Sequence, residues 1–463
     1  MASGLDQGVA RSRNNQHPFR VTTTRLEEVE GLAELQILDT DGNGSAAESS
    51  ATARFPRLRL RQGASELLGL SWELPLARWH EDGFREMQVG PSRHLVRFLA
   101  TDGRLFALKE EPLETAQREF AALRHLEELG LPAVSTIGLA EAPDRDTAIL
   151  VTEYLANSLQ YRRLLMRFPL GPGSYRDRLL DAMAWLLIDL HRAGVYWGDC
   201  SLANTLFRRD GDKIQAYLVD AETSEVHPSL SDGQRRNDLD ILVENVAFGL
   251  ADLAAYQGRL EDLDAAIEAA ESVRERYELL WEKLHETPEL RPHDRHAIEK
   301  RIRKLNDLGF SVDEVALEPG APDGLVRLTL AVTTRLFHAR HLERKTGIVA
   351  MENQARLLLN DLHEYAAWLE WFEGRPLGTT GPERWLRDVF RPTTQRLAEV
   401  VGPDGDIVQA YCDLLEHKWL MSERAGRDVG LEAAIESYLA LGAPAPERPG
   451  GNEESPVSTP AAS

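Results

Sequence analysis

Asp199 and Asn204 stand in the arrangement D-x-x-x-x-N, and a short apolar run, Ala216 to Val219, then delivers a second acid, Asp220. This spacing constrains the fold more than any other feature, because it sets oxygen donors on a loop and at a strand end. Metal-assisted phosphoryl transfer has that requirement: one carboxylate orients an acceptor hydroxyl, while an amide oxygen and another carboxylate hold Mg²⁺ against nucleotide phosphates. Upstream, Met183, Leu186, Leu187 and Leu190 recur at helical spacing and run out at Gly194, a natural helix terminator. The implied order is helix, loop, short strand pair, acid. The plainer reading makes Asp199 and Asn204 turn residues beside Gly198.

The whole stretch from His191 to Glu222, HRAGVYWGDCSLANTLFRRDGDKIQAYLVDAE, resembles the protein-kinase-like superfamily. The catalytic segment of that superfamily runs H-x-x-G-(I/V)-x-H-x-D-x-x-x-x-N-(I/V)-L, followed by a strand ending in Asp. Asp220-Ala221-Glu222 is similar to the D-x-E of lipopolysaccharide kinase (Kdo/WaaP-type) proteins and, next, of aminoglycoside and choline phosphotransferases, rather than to D-F-G. Trp197 stands where protein kinases carry the His of their catalytic loop, and Ala221 stands where they carry an aromatic.

The resemblance implies a bilobal α+β fold, with a small antiparallel N-lobe and a mainly helical C-lobe. It also implies roles. Asp199 is then the catalytic residue, and Asn204 and Asp220 are metal ligands, with Glu222 assisting at a second metal or structuring the loop. Phe106-Ala107-Leu108-Lys109 resembles the strand whose Lys grips the α- and β-phosphates, and Glu119, on an amphipathic helix closed by Gly130, would hold that ammonium. Gly90-Pro91-Ser92-Arg93 occupies the place of a phosphate-covering loop; a plain tight turn is the alternative, since the loop has one glycine. Asp102-Gly103 is a hairpin signal between two of three expected antiparallel strands. The buried strand Thr147 to Tyr154 leads into a hinge, where Glu153, Tyr154 and Leu155 are candidates for main-chain recognition of adenine. Asp238 resembles the buried Asp that pins the catalytic-loop backbone in this superfamily, with a helix N-cap as the other reading.

Composition sets the remaining bounds. A formal charge of −22 over 463 residues argues against a generic attraction to phosphate backbones, so nucleic acid is not an expected partner. The two cysteines, Cys200 and Cys412, suit neither a disulfide framework nor a zinc site, and a reducing cytoplasm is the expected compartment. No signal-peptide h-region and no apolar run near the ~20 residues of a membrane helix is visible.

Residues 1–55 are expected to be a mobile or variable segment, 56–255 the kinase-like catalytic domain, 256–441 an all-α domain and 442–463 a Pro-, Gly- and Ser-rich disordered tail. Leu- and Trp-rich stretches from Leu325 onward read as helical, and the second domain resembles a domain of unknown function attached to some bacterial kinase-like proteins. It is expected to recognise the acceptor or a partner. The functional expectation is an ATP- and Mg²⁺-dependent phosphotransferase acting on a hydroxyl of a sugar or small metabolite. A protein kinase and a nucleotide-binding pseudokinase are the alternatives. Neither the acceptor nor the oligomeric state is legible.

Overall fold

The computed structural model describes residues 56–87, 93–167, 174–259, 263–291, 293–319, 325–403 and 405–444. Among them the chain opens with an antiparallel sheet of six strands in the order β1-β5-β6-β4-β3-β2. These are β1 (Arg57–Leu60), β2 (Phe84–Arg85), β3 (Leu95–Thr101), β4 (Arg104–Pro112), β5 (Thr136–Ala142) and β6 (Thr147–Glu153). Asp102 and Gly103 close the β3–β4 hairpin with φ of 48° and 76°, a turn whose twist matches that of its strands. Alternation in β4 divides its side chains between two environments. Phe106 and Leu108 enter a core with the edge-to-face pair Trp72 and Trp79, ring centroids 5.0 Å apart. The other face is covered by helix α1 (Leu113–Glu128), which buries Phe120, Leu123 and Leu126.

Past the hinge come β7 (Ser158–Leu159), α2 (Tyr161–Arg167), α3 (Ser174–Arg192) and β8 (Val195–Tyr196). Helix α3 is apolar over most of its circumference, and Leu179, Leu180, Met183, Leu186, Leu187 and Leu190 are fully buried. The hairpin of β9 (Thr205–Asp210) and β10 (Lys213–Leu218) pairs with β7, and β11 (Glu225–Val226) pairs with β8. Asn204 immediately precedes this hairpin and Asp220 follows it within two residues, so one rigid ribbon carries both ends of the expected metal site.

Helices α4 (Asp232–Tyr256) and α5 (Leu263–His285) close the lobe. Ala270, Val273 and Tyr277 of α5, with Leu305 of α6 (Arg295–Asp307) and Phe310, share one apolar core with α3 and the catalytic loop. A second core gathers Leu342, Leu358, Leu362, Trp385, Tyr411 and Tyr438.

Between the two lies an antiparallel sheet of β12 (Glu289–Leu290), β13 (Val312–Pro319) and β14 (Val326–Val332). The helical spacing expected from Leu325 and the all-α character expected from residue 256 do not hold over this segment. Val326-Arg327-Leu328-Thr329-Leu330-Ala331-Val332 alternates strictly, and its inward Leu328 is 1% exposed, which is a strand period rather than a helical one. Helices α7 (Phe337–Thr346), α8 (Glu352–Glu373), α9 (Gly381–Trp385), α10 (Arg391–Val401), α11 (Ile407–Ala425) and α12 (Leu431–Ala440) follow, and the described residues beyond this small sheet are mainly helical. Among the described residues no helix is long and apolar enough to cross a membrane.

Candidate functional site

Lys109 lies on the face of β4 opposite Leu108, beneath α1. Its Nζ donates to Glu119 Oε2 at 2.7 Å and to Asp220 Oδ2 at 3.2 Å. Glu119 Oε1 in turn accepts from the backbone N–H of Ala221 at 3.3 Å, so sheet, helix and catalytic segment are tied at one point. Burial alone would depress the Lys109 ammonium, but Glu119, Asp220 and Glu111 hold it well above its ordinary value. Burial and the nearby Asp220 push the Glu119 carboxyl up, against the pull of Lys109.

The loop from Trp197 to Asn204 hangs on Asp238, which is fully buried. Its two carboxylate oxygens accept from the backbone N–H groups of Trp197 at 2.7 Å and Gly198 at 2.8 Å. The loop-pinning role is therefore the one present; Ser231, not Asp238, caps α4. Trp197 is buried in the lobe core, and the neighbour that reaches Asp238 is His191 of α3, with Nε2 3.1 Å from Asp238 and Nδ1 2.7 Å from the hydroxyl of Tyr277. Burial lowers the His191 pKa despite Asp238, and burial raises that of Tyr277 to about 12. A neutral imidazole that donates from Nε2 and accepts at Nδ1 satisfies both partners. Gly198 has a φ of 79°, and a Cβ there would meet the Thr223 carbonyl at 3.0 Å.

Within the loop, Asn204 Nδ2 donates to Asp199 Oδ2 at 3.0 Å and to the Asp199 carbonyl at 3.2 Å. The amide thus orients the carboxylate and leaves its own oxygen as the remaining donor atom of that side chain. Asp220 Oδ1 accepts from the Glu222 N–H at 3.1 Å. Glu222 is held by Arg93 Nη2 at 2.6 Å and lies 3.2 Å from His94 Nε2.

Lys109, Glu119, Asp199, Asn204, Asp220 and Glu222 all line one cavity of about 740 Å³, as do Arg93, Glu153 and Leu155. Gly90 and Ser92 lie outside the described residues. At the hinge, Glu153 N–H and Tyr154 N–H are already bonded to the carbonyls of Ser135 and Leu105, and the Glu153 carboxylate is paired with Arg104. The carboxylate of Asp220 and the amide of Asn204 are hard oxygen donors, a set that fits Mg²⁺. Every described lining residue falls between Glu86 and Gly249, so no described residue of the segment expected to recognise the acceptor lines this cavity.

His191 opens the motif already noted, though its contact with Asp238 does not follow from spacing; two participants are not apparent from motif spacing at all, Glu111, 3.1 Å from Lys109 Nζ, and His94. Only Glu111 had a readable signal, since residues two apart on a strand share a face.

Residues 105–258 match the model of the lipopolysaccharide kinase (Kdo/WaaP) family, and residues 279–441 match a domain of unknown function, DUF4032. The lipopolysaccharide core heptose(I) kinase WaaP of Pseudomonas aeruginosa is 26% identical over 140 residues, 28% of this chain and 52% of that protein. The chain therefore spans about half the length of this curated relative. A solved structure of WaaP in complex with acyl carrier protein aligns with 42% of this chain and 89% of that one, at 23% identity and a TM-score of 0.29. By sequence, residues 105–258 are thus similar to the lipopolysaccharide kinase (Kdo/WaaP) family, and residues 279–441 to DUF4032.

Proposed function

We propose that this protein transfers the terminal phosphoryl group of ATP to a hydroxyl of a sugar or related small metabolite, with Mg²⁺ as cofactor. The observation that carries the reading is the convergence of Lys109, Asp199, Asn204 and Asp220 on one cavity, with Lys109 already seated against Glu119. The heptose kinase activity of the named relative supports a sugar as acceptor.

In this reading Asp199 orients the acceptor hydroxyl and takes its proton at a carboxylate oxygen, in a geometry held by Asn204 Nδ2. Lys109 neutralises charge on the α- and β-phosphates. Asn204 and Asp220 would hold Mg²⁺, which when bound neutralises charge developing on the transferred group. With two hinge N–H groups committed to the sheet, recognition of the base falls to Leu155 and to the hinge carbonyls.

The helical DUF4032 region supports the site from behind. The turn Asp210-Gly211-Asp212 joins the strands that follow Asn204 and precede Asp220, and residues of α8 and α11 clasp it. Gln409 bonds both the N–H and the carbonyl of Gly211, Arg209 pairs with Asp413 at 2.6 Å, and Arg356 with Asp212 at 2.6 Å. We assign this module the role of positioning the metal ligands.

Titration calorimetry with Mg·ATP tests the first requirement. Binding that needs the metal, with stabilisation of about 2.7 kcal/mol at a hundredfold excess of ligand over its dissociation constant, is the expected result. No heat and no melting shift would sink the reading.

A further inference from the structure

Carboxylates outnumber cations around Lys109. Its Nζ lies 2.7 Å from Glu119, 3.1 Å from Glu111, 3.2 Å from Asp220 and 3.9 Å from Glu222. Arg93 adds a second positive charge at Glu222, but from the cavity mouth, with its side chain 76% exposed.

Within this surplus three side chains from separate segments meet. His94 immediately precedes β3, Glu111 is on β4, and Glu222 follows the metal-site acid. Each offers one ligand atom, and the three atoms lie within 4.8 Å of one another. Around an ion with bonds of about 2.0–2.3 Å, ligand atoms stand roughly 3 to 4.5 Å apart, so a shift of a few tenths of an ångström closes the site.

Glu111 is the independent sign of a ligand. Its side chain is fully buried, and neither carboxylate oxygen accepts a hydrogen bond among the described residues. Its ion pair, at 3.1 Å, is with Lys109, an ammonium shared with Glu119 at 2.7 Å and Asp220 at 3.2 Å. A buried carboxylate is costly unless a cation or a full set of donors meets it. Here carboxylate oxygens that share one ammonium and accept no hydrogen bond stand beside an imidazole and a second carboxylate.

We propose that His94, Glu111 and Glu222 form a divalent-cation site distinct from the Asn204 and Asp220 pair. The donor set selects the ion. One imidazole with two carboxylates favours Mn²⁺, Fe²⁺ or Zn²⁺ over Mg²⁺, which prefers an all-oxygen octahedron and keeps its waters. The ion joins the start of β3 to the segment after Asp220, and supplies charge that Lys109 alone does not. The site needs no nucleotide, so it stands or falls separately from the phosphotransferase reading.

The test uses the full chain, stripped of metal by a chelator and titrated with MnCl₂ without nucleotide, with free Mn²⁺ read from its paramagnetic resonance signal. One Mn²⁺ per chain is expected. Binding should weaken at least tenfold in Glu111→Gln, which keeps the side-chain shape, and in His94→Ala, and Zn²⁺ should displace the ion more readily than Mg²⁺ does. Asn204→Ala leaves the net charge unchanged and should bind Mn²⁺ like the wild type. If Glu111→Gln does not fold, His94→Ala decides, because that side chain is partly exposed. No Mn²⁺ uptake by the wild type, or uptake unaffected in His94→Ala, overturns the proposal. So does uptake lost in Asn204→Ala, which would place the ion at the other site.

Discussion

Asp210 caps a helix that lies 143 residues away in the chain: its Oδ1 accepts from the backbone N–H groups of Asn353 at 2.9 Å and Gln354 at 2.8 Å. The first N–H groups of a helix have no partner within it, and a carboxylate there also meets the positive end of the helix dipole. Asp210 is 1% exposed and ends β9, so the first turn of α8 is completed by the strand that starts beside Asn204.

Asp210→Ala should therefore destabilise the protein by about 2–4 kcal/mol, since it strands buried donors and removes a cap. Denaturant melts measure this. If the clasp positions Asn204 and Asp220, the variant should also need several-fold more Mg²⁺ for half-maximal turnover, with little change in acceptor KM. A purely structural role would lower stability alone.

Lys109→Met leaves Glu111 and Glu119 buried without their ammonium. Breaking a buried pair in this way costs about 3–5 kcal/mol at neutral pH. Part of the loss should return on acidification. Burial and Asp220 already hold the Glu119 carboxyl above its ordinary value, so without Lys109 the folded state takes up a proton there before the unfolded chain does and gains stability as pH falls through that window. Urea midpoints that shift equally at every pH would contradict this.

Asp199→Asn and Asp220→Asn should fail differently. The first keeps both metal ligands, so nucleotide affinity survives while turnover falls on the order of 10²–10⁴. The second removes a metal carboxylate and should weaken both Mg·ATP binding and turnover. Slow ATP hydrolysis serves as the readout, with water in place of the acceptor. Equal hydrolysis by the wild type and Asp199→Asn would remove Asp199 from its role.

His191 should contribute to acid lability. Burial lowers its pKa from the ordinary 6.5, so in the folded protein the ring stays neutral to lower pH than in the unfolded chain. Below that ordinary value the unfolded state binds the extra proton, and stability falls with pH by at most about 1.4 kcal/mol per unit. His191→Gln retains a donor and an acceptor for Asp238 and Tyr277 but cannot titrate. Its stability should depend less steeply on pH across that window, measured by thermal or urea unfolding.

Local pattern carried the sequence reading a long way. The A-L-K strand and the amphipathic helix with Glu119 each express one element's periodicity, and the D-x-x-x-x-N loop and the apolar run into Asp220 are short-range motifs. Periodicity is legible because backbone hydrogen bonding repeats at fixed intervals along the chain. The kinase-family resemblance rests on those motif residues, and the α+β class was what that resemblance implied. The strand Val326–Val332 departs from the helical expectation because its seven alternating residues run directly into a longer stretch of helical spacing.

What only the tertiary structure decided is which side chains from distant segments share a few ångströms. No spacing rule brings His94, Glu111 and Glu222 together, sets His191 against Asp238, or points Asp210 at the first turn of α8. Those meetings depend on how the sheet, the lobe core and the helical module pack. Packing is set by the summed burial of many apolar side chains rather than by any residue at the site.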